Sequence, residues 1–240
     1  MNLRVFKTSK DSDLFVASRI CETISKKPDA LLCLAAGHSP LGVFKELIRM
    51  NGEGEIDFSS CYFVGLDEWV GIGRNNTDSC RNFMDQNFFS LINVNHARIV
   101  FFDGESEDLK KECSRADQFI ERRGGIDFML LGVGMNGHLG LNEPGVDPAL
   151  KAHVTSIDQV TREVSAKKYF RKSVTLDRGI TLGIKQIMET KDVVVILNGS
   201  HKAGISSRIF NEEISEQIPA SLIRDLPQVC FCLDQDAATF

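Results

Sequence analysis

An α/β fold, a doubly wound and mostly parallel sheet flanked by helices in a Rossmann-like three-layer sandwich, is predicted by three features of this 240-residue chain. Short, nearly continuous apolar runs recur along it, segments of helical period lie between them, and polar, often glycine-bearing turns follow four of the runs. A strand buried on both faces reads as an unbroken apolar run, the signature of a parallel sheet covered by helices. Strands that alternate with helices close into a layered α/β sandwich.

The apolar runs lie at 31–35, 61–66, 98–101, 128–131, 193–197 and 229–233. Between them, Leu14, Ala17, Ile20, Cys21 and Ile24 return to one helical face, and 41–50, 82–91, 109–122, 182–188 and 202–210 have the same period. One domain over 1–240 is expected, because a chain of this length and a 42% hydrophobic content can build a single core. The least regular stretch, 143–175, reads equally as an active-site flap or as a plain surface excursion.

A net charge of −5 lacks the clustered Lys/Arg surplus of a nucleic-acid footprint, so no nucleic-acid partner is expected. The first ten residues have no apolar signal core, and the longest apolar runs are too short to cross a bilayer, so no membrane partner is expected either. Seven cysteines without a C-x-x-C pair fit a reducing, cytoplasmic setting. An apolar helix face packs as well within a chain as against a copy, which leaves the oligomeric state open.

The turns after four apolar runs are Ala36-Gly37-His38-Ser39, Asp67-Glu68, Gly134-Met135-Asn136-Gly137-His138 and Asn198-Gly199-Ser200-His201-Lys202. Open α/β sheets bind ligands outside the carboxyl ends of their strands, so the four tips are expected to meet in one crevice. Gly37, His38 and Ser39 lead from a strand into a helix, with Ser39 placed as N-cap and Pro40 in the first turn. Such a turn offers amide groups and the positive end of a helix to a phosphate. Lys202, at the start of another helix, adds a point charge. Taken singly, the turn also reads as an ordinary strand-to-helix connection and the lysine as a solvated side chain.

Asp67 and Glu68 are adjacent carboxylates at a strand end; pressed against apolar surface, such a group moves protons on and off carbon, and as an isolated pair it also reads as a cap. The glycine-rich segment 132–145 surrounds Asn136, His138, Asn142 and Glu143. It is not read as a dinucleotide fingerprint, because no G-x-G-x-x-G of the proper spacing is read in it and no acidic ribose partner follows another strand at the expected distance. His138 with Glu143 forms an acid/base pair in which the carboxylate orients the imidazole. Five histidines without H-x-H or H-E-x-x-H spacing imply no metal, and no G-x-S-x-G elbow supports a serine hydrolase.

At Leu66-Asp67-Glu68-Trp69-Val70-Gly71 and at 134–144, together with 37–42, 82–84, 87–89 and 199–203, the chain resembles the glucosamine-6-phosphate deaminase/isomerase family. The blocks run in order over nearly its whole length. The resemblance implies a fold related to 6-phosphogluconolactonases, no cofactor, and an amino-sugar phosphate as the small-molecule partner. It implies an enzyme that isomerises and hydrolytically deaminates a 2-amino-2-deoxyhexose 6-phosphate to a ketohexose 6-phosphate and ammonia. Asp67 would then move the C2 proton to C1, His138 would open the sugar ring with Glu143 in support, and Gly37, His38, Ser39 and Lys202 would hold the phosphate. Asn136 stands where many relatives have Asp, Ala35-Ala36-Gly37 replaces the usual Pro-Thr-Gly, and Lys168 is matched to a phosphate-binding arginine. A sugar-phosphate lactonase on the same fold and a non-catalytic sugar-phosphate sensor are the alternatives; Leu141-Asn142-Glu143-Pro144 argues against the first, and the presence of Asp67, His138 and Glu143 against the second.

Overall fold

The apolar runs of the sequence become the interior strands of a seven-stranded parallel sheet in a computed structural model that describes residues 1–168 and 177–239. In chain order the elements are β1 (Asn2–Phe6), α1 (Ser9–Lys26), β2 (Leu31–Leu34), α2 (Leu41–Gly52), β3 (Tyr62–Val64), β4 (Asp67–Trp69), α3 (Cys80–Asn87), β5 (Ile99–Val100), α4 (Leu109–Arg122), β6 (Phe128–Gly132), β7 (His153–Ser156), α5 (Gln159–Lys168), β8 (Arg178–Thr181), α6 (Ile184–Glu189), β9 (Val193–Leu197), α7 (Ala203–Asn211) and β10 (Val229–Asp234).

The main sheet runs β1-β10-β9-β6-β2-β3-β5, parallel at every pairing. Successive side chains of a strand point to opposite faces, and here both faces are covered. Leu32, Leu130, Val194 and Ile196 pack with α1 and α2, while Leu31, Met129, Val195 and Phe231 pack with α4, α6 and α7. That two-sided burial is why the strands read as continuous apolar runs.

From β2 the chain steps outward to β3 and β5, then returns to β6 on the other side of β2 and steps outward through β9 to β10. The order therefore reverses between β2 and β6, and the loops leaving their carboxyl ends part there, which opens a crevice. A second sheet, β4-β8-β7, is antiparallel and adjoins this end: Asp67 pairs with Thr181, and the Leu182 amide donates to the Leu66 carbonyl at 2.8 Å.

Four local expectations change. Strand β1 was not expected, because it lies at the sheet edge and its polar Asn2 and Arg4 break the apolar run. Within 143–175 the structure has β7 and α5, so that stretch is partly regular; residues 169–176 lie outside the described residues. The expected helix 82–91 is α3 followed by a 3-10 turn, Phe89–Leu91, with Phe88 between them in a non-helical conformation (φ −145°, ψ −65°). Pro40, not Ser39, is the N-cap of α2, and no side chain caps that helix.

Candidate active site

The switch point holds a cleft of about 1150 Å³, walled by the loops after β2, β6 and β9, by β4, and by the first turns of α5. Gly37, His38, Ser39, Asp67, His138 and Lys202 all line it, so four separate segments of sequence meet there. Asn136 and Glu143 stand behind His138, within hydrogen-bonding reach of one another. The Lys168 side chain lies outside the described residues.

At one end the β2 loop turns through Gly37, whose φ of +118° is a conformation that side-chain-bearing residues rarely adopt. It delivers the uncapped start of α2 to the cleft, where first-turn amides and the helix dipole favour an anion. Lys202 is only 7% exposed, and its ammonium donates to the Val133 carbonyl at 2.6 Å and lies 3.8 Å from Met135 Sδ. A buried cation fixed to backbone beside a helix N-terminus is suited to an anionic group. Asp13, not singled out in the sequence, packs against Gly42, where an added Cβ would come within 1.8 Å of its Oδ2. Burial and the nearby Asp234 push Asp13 up to about 6, opposed by Lys45.

The two neighbouring carboxylates are separated by the alternation of β4. Glu68 points away from the cleft: it is 2% exposed and accepts from Ser79 Oγ at 2.7 Å and from the amides of Trp69, Cys80 and Arg81 at 2.9–3.1 Å. Burial raises its proton affinity against these bonds, but its work is to hold the start of α3. Asp67 faces the cleft. Burial, aided by the charge of Glu68, pushes its carboxyl up to about 7, against a hydrogen bond with Cys80 and the pull of His138. A carboxylate with that affinity is poised to take and return a proton near neutral pH.

Leaving β6, Gly132, Gly134 and Gly137 do have the G-x-G-x-x-G spacing, yet they lead into a turn rather than a helix, so the dinucleotide geometry is absent. Gly134 is required by proximity: a Cβ there would lie 2.2–2.4 Å from atoms of the His138 ring. His138 Nδ1 is 2.8 Å from Asn136 Oδ1, 3.0 Å from Thr161 Oγ1 and 3.5 Å from Glu143 Oε2. Since Asn136 Oδ1 also accepts from the His138 amide at 3.2 Å, it is the acceptor, so Nδ1 carries the proton and Nε2 is left as the base. Asn136 Nδ2 donates to Glu143 Oε2 at 2.9 Å, and Thr161 Oγ1 donates to the same oxygen at 3.0 Å. Burial works against the charge on Glu143, but the bonds and charge from His138, with those from Asn136 and Thr161, outweigh it and hold the carboxyl below its usual range. Asn142 has a structural part, its amide donating to the carbonyls of Leu139 and Leu182 at 2.7 and 2.8 Å and so tying this loop to the second sheet.

Sequence reasoning missed Thr161, Asp158, Cys80 and Asp13. None stands in a glycine-rich turn, and their neighbours in space are remote in sequence, so no local pattern marks them. Among the described residues no three His, Cys, Asp or Glu side chains are grouped to hold a metal ion, and no helix is long and apolar enough to cross a membrane.

A family model described as glucosamine-6-phosphate isomerases/6-phosphogluconolactonase matches residues 9–231. A glucosamine-6-phosphate deaminase of Clostridium perfringens is 36% identical over 238 residues, 99% of this chain and 98% of its own length. One from Bacillus velezensis is 36% identical over 222 residues, 92% of each chain. Among solved structures, a monomeric glucosamine-6-phosphate deaminase superposes with a TM-score of 0.95 at 32% identity over 99% of both chains. A 6-phosphogluconolactonase from Thermotoga maritima, at 17% identity and a TM-score of 0.76, covers 98% of this chain with 99% of its own and shares the fold. With the family model spanning most of the chain and relatives of this identity matching it over nearly their full length, the chain belongs to the glucosamine-6-phosphate isomerase/6-phosphogluconolactonase family.

Proposed function

We propose that the cleft converts a 2-amino-2-deoxyhexose 6-phosphate, glucosamine 6-phosphate in the first instance, to a ketohexose 6-phosphate and ammonia. The observation that carries this is one cleft with two proton-handling groups of different kinds: Asp67, pushed up to about 7, and His138, whose Nδ1 is committed to Asn136 so that Nε2 is available. A lactonase needs a group to activate water; an aldose–ketose isomerisation also needs a base for a carbon-bound proton, which Asp67 supplies. The named deaminase relatives at full-length coverage support the same reading.

In this mechanism the phosphate sits against Gly37, His38, Ser39 and the Lys202 ammonium, with Lys168 as a further contact, and fixes the sugar. His138 Nε2 takes the proton from the anomeric hydroxyl and a proton is returned to the ring oxygen, so that the C1–O5 bond breaks and the aldehyde forms. Asn136, Glu143 and Thr161 hold the imidazole and balance its charge. Asp67 removes the C2 proton while the aldehyde oxygen takes up a proton from solvent, giving an enolamine, and Asp67 returns its proton to C1, which leaves a C1 hydroxymethyl group and a ketiminium at C2. Water adds to C2 and ammonia departs, so one water is consumed and the net reaction is hydrolytic as well as isomerising. Seven free thiols, five of them buried, support a reducing cytoplasmic setting.

The test is to incubate the protein with glucosamine 6-phosphate, galactosamine 6-phosphate and 6-phosphogluconolactone, following ammonia, ketohexose 6-phosphate and lactone opening. Ammonia and ketose in equal amounts from an amino-sugar phosphate are expected. Lactone opening without ammonia release would overturn the reading.

A further inference from the structure

The hydrogen bonds behind His138 include a carboxylate that the mechanism above does not use. Asn136 has one acceptor and two donor hydrogens. Its Oδ1 faces His138 Nδ1, while Nδ2 is shared between Glu143 Oε2 at 2.9 Å and Asp158 Oδ1 at 3.2 Å, with Thr161 Oγ1 at 3.4 Å. The amide therefore spans three groups: an imidazole on one side and two carboxylates on the other. We propose that Asp158 is a positioning residue for His138, acting through Asn136 to stabilise the imidazole when it carries the extra proton during ring opening. The inference rests on the role given to His138 above.

When the imidazole gains a proton, its Nδ1–H bond to Oδ1 strengthens and polarises the amide. The Nδ2 hydrogens then donate more strongly to both carboxylates, since linked hydrogen bonds reinforce one another away from bulk water. Asp158 is held ready for this by its own backbone. Its carboxylate also accepts from the Val160 amide at 2.9 Å, and its carbonyl accepts from the Arg162 amide at 2.9 Å as α5 begins. The arrangement also accounts for an amide, rather than a carboxylate, at 136. A carboxylate there would place like charges about 3 Å from Glu143 and from Asp158 with no proton between them.

A plain helix cap would make the same bond to Val160, so the test must separate charge from capping. Asp158→Asn and Asp158→Ser both keep a capping side chain and remove the charge. With glucosamine 6-phosphate as substrate, kcat, KM and the melting temperature are measured for both, for Asn136→Asp, and for the double variant Asn136→Asp/Asp158→Asn, which restores the charge count. Loss of the Asp158 charge is expected to lower kcat about tenfold, as for coupled members of one network, with KM within about twofold and an unchanged melt. Asn136→Asp is expected to lose activity as well, and the double variant to return to within about threefold of the parent. Wild-type kcat in Asp158→Asn, or in Asp158→Ser should the first not fold, overturns the inference, as does a double variant no better than the weaker single. A His138→Ala variant that keeps turnover overturns the role of His138 and the inference with it, whereas a dead His138→Ala beside a fully active Asp158→Asn overturns the inference alone.

Discussion

Replacing Asp67 with Asn should move activity and stability in opposite directions. Burial lifts this carboxyl from 3.8 to about 7, so the folded protein holds its proton more tightly than the unfolded chain does. Roughly three decades of proton affinity correspond to about 4 kcal/mol of unfavourable charge burial once the group is ionised. Water reaching a half-buried carboxyl reduces this to about 1–2 kcal/mol. The sign follows from linkage: for a carboxyl whose folded affinity is raised, the contribution to stability is intact below the unfolded value and is lost as pH rises through the window from 3.8 to about 7. The amide has no charge to bury, so Asp67→Asn should melt at or above the parent temperature at pH 8 and lose the advantage at pH 4.

The same substitution removes the proposed base. The expected loss in kcat is at least on the order of 10²-fold, with substrate binding preserved and exchange of the C2 proton with solvent stopped. In the parent protein kcat/KM should fall as pH drops through about 7, where Asp67 takes up its proton. Deuterium exchange at C2, read by NMR beside a thermal melt at both pH values, tests all of this. A group acting only as a loop cap would give the opposite pair of results, a loss of about 1 kcal/mol in stability with exchange intact. Continued exchange in a folded Asn variant would refute the assignment.

Lys202→Ala should raise KM for glucosamine 6-phosphate at least tenfold by removing the proposed phosphate contact, and unphosphorylated glucosamine should not turn over; equal rates for the two sugars would remove the phosphate site from the scheme. Gly134→Ala drives a methyl group into the His138 ring, so the ring must turn away from Asn136; kcat should fall more than about tenfold at a stability cost of about 1–3 kcal/mol, and full activity would show that the ring's position is not needed. Glu68→Ala strands the Ser79 hydroxyl and the amides of Cys80 and Arg81; urea unfolding should record a loss of about 2–3 kcal/mol while C2 exchange continues, and loss of exchange with little loss of stability would instead make Glu68 the base.

The sheet was legible because its strands are covered on both sides. Leu31 and Leu32 are buried against opposite helix layers, and a run that is apolar at every position can have been written only for that environment. The same logic explains what was hidden. Strand β1 pairs on one edge only, and its burial is incomplete at every position. Strands β7 and β8 read Arg, Thr and Ser at their ends, present only Ile180 and Val154 to the main core, and owe their structure largely to each other and to β4. Their pairing is set by contacts that no window of sequence contains.

In the site, residues with a local signature were legible and those recruited from a distance were not. Glycine-rich turns marked Gly37 and His138, and chain order placed them at strand tips. The division of labour between Asp67 and Glu68 could not be read, because two adjacent carboxylates become distinct only when β4 pairs with β8 and its pleat points one inward and one toward α3. Asn136 makes the same point more sharply. As a letter in the sequence it is a departure from an acidic position; in the fold its amide accepts from His138 while donating to both Glu143 and Asp158. Whether a polar substitution weakens a site or fits it depends on what stands on the far side. Here two carboxylates do, and an amide between them donates to both, whereas a third carboxylate would leave like charges facing each other in a half-buried space.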